Sequence, residues 1–272
     1  MTWPTSWWSL LLAGTGGVVL VMLLLWVAGI ARRNFSYVDI GWSANFALLA
    51  AIYGGLGAGD PFRRAVIAAM FALWSLRLSI HLARRVLGEP EEGRYVALRA
   101  EWGAKGHLNL RFLAFFQFQA VLNIVLGLAL LIACLDPEPR FGLLEVAGVT
   151  LWCAGLVGES LADAQLRAFK RDPANRGRVC DVGLWGWSRH PNYFFEWLVW
   201  IGYAVFALAS PWGWIALSAP LLMLHFLLNV TGIRATEEQA LRSKGEAYRR
   251  YQRTTSAFVP WPPKRPPAGE AA

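Results

Sequence analysis

Long apolar runs separated by short, strongly basic segments are the feature of this sequence that most restricts its fold. Runs long enough to cross a hydrocarbon core of about 30 Å cover residues 8–30, 37–56, 62–82, 112–135, 143–161, 193–209 and 212–232. Inside a bilayer no water satisfies backbone N–H and C=O groups, so each run has to close its hydrogen bonds within itself as a helix. With 15 Trp and only 16% charged residues, the chain has too little polar surface to cover a soluble globule. The expected fold is all-α, a polytopic membrane protein with seven transmembrane helices.

Orientation follows from the cations, because cytoplasmic loops retain Lys and Arg during insertion. With the N-terminus outside, the inner segments hold nearly all of the 26 Lys and Arg. The outer loops keep Arg63, Arg64 and Arg140, and Arg77 sits within a run. That arrangement predicts a cytoplasmic C-terminus and a multi-pass protein of the inner (cell) membrane. A net charge of +8 would suit nucleic acid in a soluble protein. Here the cations border the membrane, where they hold topology and meet anionic lipid, so the expected partner is the membrane, with no nucleic acid and no protein partner implied.

The N-terminus lacks a basic n-region and an obvious small-residue cleavage site, so the first run is expected to be retained. Cys134, Cys153 and Cys180 have no paired spacing, and His81, His107, His190 and His225 lack ligand spacing. No metal is expected. No linker separates the runs, which predicts a single domain over 1–262 and a Pro-rich tail over 263–272. Between the runs, a short interfacial helix is expected through Tyr95, Leu98 and Trp102. Another is expected to start at Thr236-Glu237-Glu238-Gln239 and to break at Gly245, ahead of Tyr248 and Tyr251.

Polar groups at membrane depth are costly and face the bundle interior, so each is a candidate for function. Asp39 opens the second run, where it is either an interfacial cap or a carboxyl beside a substrate. Arg77 and His81 lie four apart on the third, where an interhelical ion pair is the plainer role. Glu159, Asp163, Arg167 and Lys170 descend one helical face, acid deeper and base shallower. That order suits helix-surface salt bridges, and equally a phosphorylated cofactor whose phosphates need cations while its ribose and amide need acceptors. Pro191 suits a first helical turn and puts Asn192 and Glu196 on one face of the helix it starts. Those two residues either glue helices or hold a carboxamide. Glu237, Glu238, Tyr248 and Tyr251 either close such a site from the cytosol or belong to an amphipathic surface helix. No Gly-x-Gly-x-x-Gly follows a strand, so a Rossmann site is not expected.

The motifs Gly183-Leu184-Trp185, Ser188-Arg189-His190-Pro191-Asn192-Tyr193, Glu196-Trp197 and Phe258-Val259-Pro260, with Tyr248 and Tyr251, resemble the membrane reductases related to steroid 5-alpha-reductase. Further marks are Val38-Asp39-Ile40-Gly41-Trp42, Leu76-Arg77-Leu78, Arg94-Tyr95 and Asp172-Pro173-Ala174-Asn175-Arg176-Gly177. The closest likeness is to a bacterial branch known only as a domain of unknown function, and it covers roughly residues 30 to 262.

The resemblance implies seven helices, NADPH entering from the cytosol and a lipid-like substrate entering sideways from the bilayer. It puts Asn192 and Glu196 at the nicotinamide end, and Asp163, Arg167 and Lys170 along the nucleotide. Arg189 and His190 of the motif and Tyr248 of the tail join that cofactor set, and Arg234 substitutes for an Arg whose position reads Asn229. Where the reductases use a Glu and a Tyr to polarise a ketone, the chain offers Asp39 and, at the Tyr position, Trp74 beside Arg77. The expected activity is NADPH-dependent reduction of a carbon–carbon double bond in a lipid or isoprenoid-like substrate. Arg-His-Pro-x-Tyr with a later Glu is shared with isoprenylcysteine and phospholipid methyltransferases. S-adenosylmethionine anchored by Glu237 or Glu238 is therefore the alternative, and a non-catalytic or transport role is a third.

Overall fold

The computed structural model describes residues 7–230 and 232–264. Of the expected Pro-rich tail, residues 265–272 lie outside the described residues. The helices are α1 (Trp7–Arg32), α2 (Tyr37–Leu56), α3 (Pro61–Val86), α4 (Gly93–Ala104), α5 (Leu108–Leu126), α6 (Leu128–Leu135), α7 (Leu143–Arg171), α8 (Pro191–Ala207), α9 (Ser218–His225), α10 (Ile233–Lys244) and α11 (Glu246–Thr254). Among the described residues no strand forms beyond a single bridge between Ser188 and Ser256.

Among the described residues, 5 helical segments are long and apolar enough to cross a membrane: Trp7–Arg32, Pro61–Val86, Leu108–Leu135, Leu143–Arg171 and Gly213–Lys244. Two of the expected runs fall short of that measure. α2 is diluted by Asp39, Ser43, Asn45 and its terminal glycines, and α8 has only 17 residues. The fifth run continues as helix well past residue 161 to Arg171, carrying its polar face with it. The seventh is discontinuous: a 3-10 turn at Gly213–Leu217, then α9, a π turn at Phe226–Val230, and α10. α4 and the break at Gly245, whose φ is +52°, match the expected local structure.

Contacts divide the chain into two compact units, Met1–Val146 with Tyr203–Ala219, and Ala147–Gly202 with Pro220–Ala272. In the first, α2 packs between α1 and α3. Gly14 of α1 lies against the Tyr53 ring so closely that a Cβ would overlap its hydroxyl. Small residues let membrane helices approach this far. Polar side chains join the helices where apolar surface alone gives no preference. Asn45 donates to Asn123 at 3.0 Å, and Asn123 donates to the Trp42 carbonyl at 2.9 Å. The Ser75 hydroxyl receives the Ala47 N–H at 2.9 Å and donates to the Ser43 carbonyl at 2.5 Å, bridging an i to i−4 pair of α2.

One end of this unit is organised by a buried guanidinium. Asp60 caps α3 by accepting from the Arg63 N–H at 2.9 Å, with Pro61 at the first helical position. The Arg63 side chain donates twice to Glu145, at 3.1 and 2.7 Å, and lies 3.2 Å from Asp136. It also donates to the carbonyls of Glu138 and Arg140. The planar fork thus ties the start of α3 to the whole connection between α6 and α7.

In the second unit, α7 and α8 run antiparallel and touch at glycines. A Cβ on Gly155 would come within 2.8 Å of the Phe195 carbonyl, and one on Gly202 within 2.7 Å of the Trp152 nitrogen. Gly158 lies against the Phe195 ring. Trp197 extends the packing by donating to the Pro220 carbonyl at 2.9 Å.

Removing one partner from a buried ion pair strands the rest, at a cost of about 3–5 kcal/mol. Arg63→Ala is therefore expected to lower the unfolding free energy by that order. Arg63→Lys, which keeps the charge but loses the fork, should recover only part. Chemical unfolding in a fixed detergent checks both, and a neutral Arg63→Ala would refute the assignment.

Candidate functional site

Pro191 starts α8, and the segment before it is held in extended form by the C-terminal chain. The Arg189 N–H donates to the Ser256 carbonyl at 2.8 Å, the Ser188 hydroxyl to the Phe258 carbonyl at 2.8 Å, and the Trp261 N–H to the Trp187 carbonyl at 3.0 Å. Tyr251 donates to the carbonyls of Trp185 and, at 3.3 Å, Ser188. The same loop is seated on α7, where Trp185 donates to the Ala162 carbonyl at 2.9 Å and Gln165 accepts the Leu184 N–H at 2.9 Å.

Arg189 and Glu237 form the centre of this arrangement. The Arg189 Nε donates to Glu237 at 2.7 Å, and its Nη1 donates to the carbonyls of Gln252 and Thr255 at 3.0 and 2.6 Å. The other Glu237 oxygen accepts from Gln252 at 2.7 Å, and the His190 ring lies 3.2 Å from the carboxylate. Tyr248 is buried beside Glu237 and Arg189, and burial pushes its hydroxyl up to about 12, with the Glu237 charge adding to the effect. The structure thus brings Arg189, His190 and Tyr248 together, but engages them with α10 and α11 as a latch.

Asn192, one residue into α8, is different. Its side-chain oxygen is buried with no hydrogen-bond partner. Such an acceptor costs about 1–3 kcal/mol when left unmade. Glu196 follows one turn on, half-buried, and Asn192, Phe195, Glu196 and Val199 share one face. Phe195 and Val199 are the residues that meet Gly155 and Gly158 of α7. Antiparallel register then sets Glu159, 5% exposed, and Asp163 alongside the first turns of α8. Arg167 and Lys170 lie exposed in the last turns of α7, while Arg234 is exposed on α10 and pairs with Glu238 at 3.4 Å.

Asp39, Trp74 and Arg77 belong to the first unit. Trp74 is fully buried, edge-on to Trp42 and Phe46, with ring centroids 6.3 and 5.6 Å away. Arg77 is half-buried one turn further along α3. Asp39 has a partner that spacing alone did not suggest: Tyr95 of α4 donates to it at 2.6 Å, and Arg85 stands 4.0 Å from its other oxygen. Burial, followed by the Asp39 charge, holds the Tyr95 hydroxyl well above the ordinary tyrosine range, so it stays a donor. The loop that presents α4 is pinned to the start of α2, with Glu91 accepting the Phe35 N–H at 2.7 Å and Ser36 accepting the Glu92 N–H at 2.9 Å.

Tyr95 thus gains a role beside Asp39, and Gln165 and Gln252 support the loop and the latch. Arg94-Tyr95 stood among the marks of the resemblance, and that was the available signal for Tyr95. Gln165 and Gln252 gave none. Among the described residues no group of three or more His, Cys, Asp or Glu is placed to hold a metal.

A family model described as a protein of unknown function (DUF1295) matches residues 25–255. An uncharacterized protein of Schizosaccharomyces pombe, C594.04c, is 29% identical over 278 residues, covering 90% of this chain and 78% of its own length. A second uncharacterized protein of the same organism, C9.08c, is 29% identical over 178 residues, 59% of this chain and 58% of its own. No solved structure matches the chain.

Because the folded-state pKa of Tyr248 lies above the ordinary value of about 10, its stabilisation is complete below that pH and is lost as pH rises through about 12. The loss is on the order of 2 kcal/mol. Melting temperatures of the wild type should fall more steeply across this window than those of Tyr248→Phe, which has no proton to lose. Parallel curves would show that Tyr248 does not titrate in the latch.

Proposed function

The chain belongs to the DUF1295 family, and from the site geometry and the resemblance of its motifs we propose that it is a membrane-embedded, NADPH-dependent reductase of a carbon–carbon double bond in a lipid or isoprenoid-like substrate. It is related in this reading to the steroid 5-alpha-reductases. α2 and α8 join the five longer helical segments as spans in a seven-helix topology, with the N-terminus outside and the latch in the cytosol of an inner-membrane protein.

The observation that carries the proposal is the unpartnered, buried oxygen of Asn192. A nicotinamide carboxamide brings an N–H donor to such an acceptor, and a side-chain amide can return a donor to the carboxamide oxygen. Glu159, Asp163 and Glu196, on the facing stripes of α7 and α8, supply acceptors for ribose hydroxyls. Arg167 and Lys170 supply exposed cations for phosphates at the shallow end. NADPH, when bound, supplies a hydride. The chain's own part is to hold the cofactor, exclude water and polarise the acceptor. Asp39 of the first unit, with its carboxyl protonated and oriented by Tyr95, would be the group that donates a hydrogen bond to the carbonyl oxygen of the acceptor. Trp74 serves as packing for that region, and Arg77 as a neighbouring cation.

The methyltransferase alternative needs Glu237 or Glu238 as an anchor for the methyl donor. Both oxygens of Glu237 are bound to side chains of the latch, and Glu238 is an exposed surface residue paired with Arg234. This favours the reductase.

Melting of the purified full chain with each nucleotide tests the proposal. Saturating NADPH, at a hundredfold excess over Kd, should stabilise by about 2.7 kcal/mol, and S-adenosylmethionine should not. Asn192→Ala should weaken NADPH binding by about 1–3 kcal/mol without lowering the stability of the unliganded protein, since it removes an unmet acceptor. Stabilisation by the methyl donor alone would reject the reductase. Loss of unliganded stability in Asn192→Ala would instead make this residue a helix–helix glue.

A further inference from the structure

The latch of the second unit carries an apolar face that its own packing leaves uncovered. Trp187 is 49%, Val259 49% and Trp261 67% exposed. They are neighbours, since the Trp261 N–H donates to the Trp187 carbonyl at 3.0 Å and the Ser188 hydroxyl donates to the Phe258 carbonyl at 2.8 Å. Phe258, between the exposed positions, turns inward. Its ring stands 5.7 Å from both Phe194 and Trp197, on the first two turns of α8. Large apolar side chains on a well-ordered segment mark an interaction surface when they are contiguous.

Two features identify what covers this one. The first is its level along a helix long and apolar enough to cross the membrane. The loop leading into Trp187 is hydrogen-bonded to α7 at Ala162 and Gln165. These residues precede the exposed basic end at Lys170 and Arg171 by roughly 8–14 Å of helix at 1.5 Å per residue. A headgroup layer is roughly 5–8 Å thick on each side of the core, so with the basic end at the water side the loop falls near the boundary, where tryptophan is favoured because its ring is apolar and its N–H is polar. The second is charge. Arg176 and Arg178 in the loop before Trp187, and Lys264 after Trp261, are exposed, and such flanking cations meet anionic headgroups.

We propose that Trp187, Val259 and Trp261 form a ledge that lies in the headgroup region of the bilayer. The ledge anchors the C-terminal chain, and with it the latch around Arg189 and Glu237, to the lipid surface. Its occupant is phospholipid, with an anionic headgroup preferred over a neutral one. The anchoring holds whether or not the protein is a reductase, because it depends on the latch and on α7 crossing the membrane.

The test is photo-crosslinking from the full chain with p-benzoyl-phenylalanine substituted for Trp261, in nanodiscs of phosphatidylcholine with and without phosphatidylglycerol. The same substitution at Leu24, an exposed apolar residue of α1, is the positive control for lipid contact. The expected result is a mass shift of one phospholipid on the peptide carrying residue 261, with phosphatidylglycerol over-represented among the adducts relative to its share of the lipid. A crosslink to a second copy of the chain would overturn the proposal in favour of a protein interface. No adduct at 261 while Leu24 labels would place the ledge in water and overturn it as well. An unchanged melting temperature of the substituted protein shows that the latch is intact in each case.

Discussion

The approach of α7 to α8 at Gly155, Gly158 and Gly202 is the contact on which the second unit depends. Lipid tails are as apolar as the helices, so close packing and polar contacts have to supply the preference for one register over another. Here backbone meets backbone and side chain with no room for a Cβ, and the register is correspondingly sharp. It sets Glu159 and Asp163 beside the first turns of α8. It also leaves Ala162 and Gln165 of α7 available to seat the loop before α8. That loop in turn presents Ser188 and Arg189 to the C-terminal chain. A methyl group at residue 155 would therefore disturb the latch as well as the helix pair.

Arg63 and Arg189 do similar work in the two units. Arg63 and Arg189 each combine a carboxylate with backbone carbonyls from a connecting segment. A guanidinium suits this because it offers five donors in a fixed plane, whereas an ammonium is a point charge on a flexible stem. Lys170 and Arg167, by contrast, stay exposed at the end of α7. Cations already surrounded by carbonyls have few donors left for a phosphate. The division separates cations that assemble the fold from cations left at its surface.

Local features were legible in the sequence because their causes are local. Pro191 announces the start of α8, Gly245 the break between α10 and α11, and the three- and four-residue spacing of Tyr95, Leu98 and Trp102 the helix α4. The apolar runs gave the helices, but not their continuity. Asn229 lies in the π turn of Phe226–Val230, and an extra residue in a turn leaves no mark in hydropathy. Nor could spacing find the partners that matter most to the site. Tyr95 is 56 residues from Asp39, and Glu237 is 48 from Arg189. Such pairs form only once the helices have packed, so the motif around Asn192 and the tail residues near it were visible while the bonds that join Arg189 to Glu237 and Gln252 were not.

The Asp39–Tyr95 pair changes what the first unit can do. A tyrosine that stays protonated can donate one hydrogen bond to one carboxyl oxygen, which orients the group and leaves the other oxygen, toward Arg85, for a further contact. The donor comes from α4, and α4 is not an independent interfacial helix. Glu91 and Glu92 bind its leading loop to Phe35 and Ser36, and Arg99 of α4 returns to Glu91 at 2.8 Å. Arg99 also lies over the Phe35 ring, 4.9 Å from its centroid. The start of α2, the loop and α4 are therefore bonded to one another directly. A displacement of α4 along the membrane surface would carry the Tyr95 hydroxyl away only by breaking these contacts, so the environment of Asp39 is held by the loop as much as by the helices that enclose it.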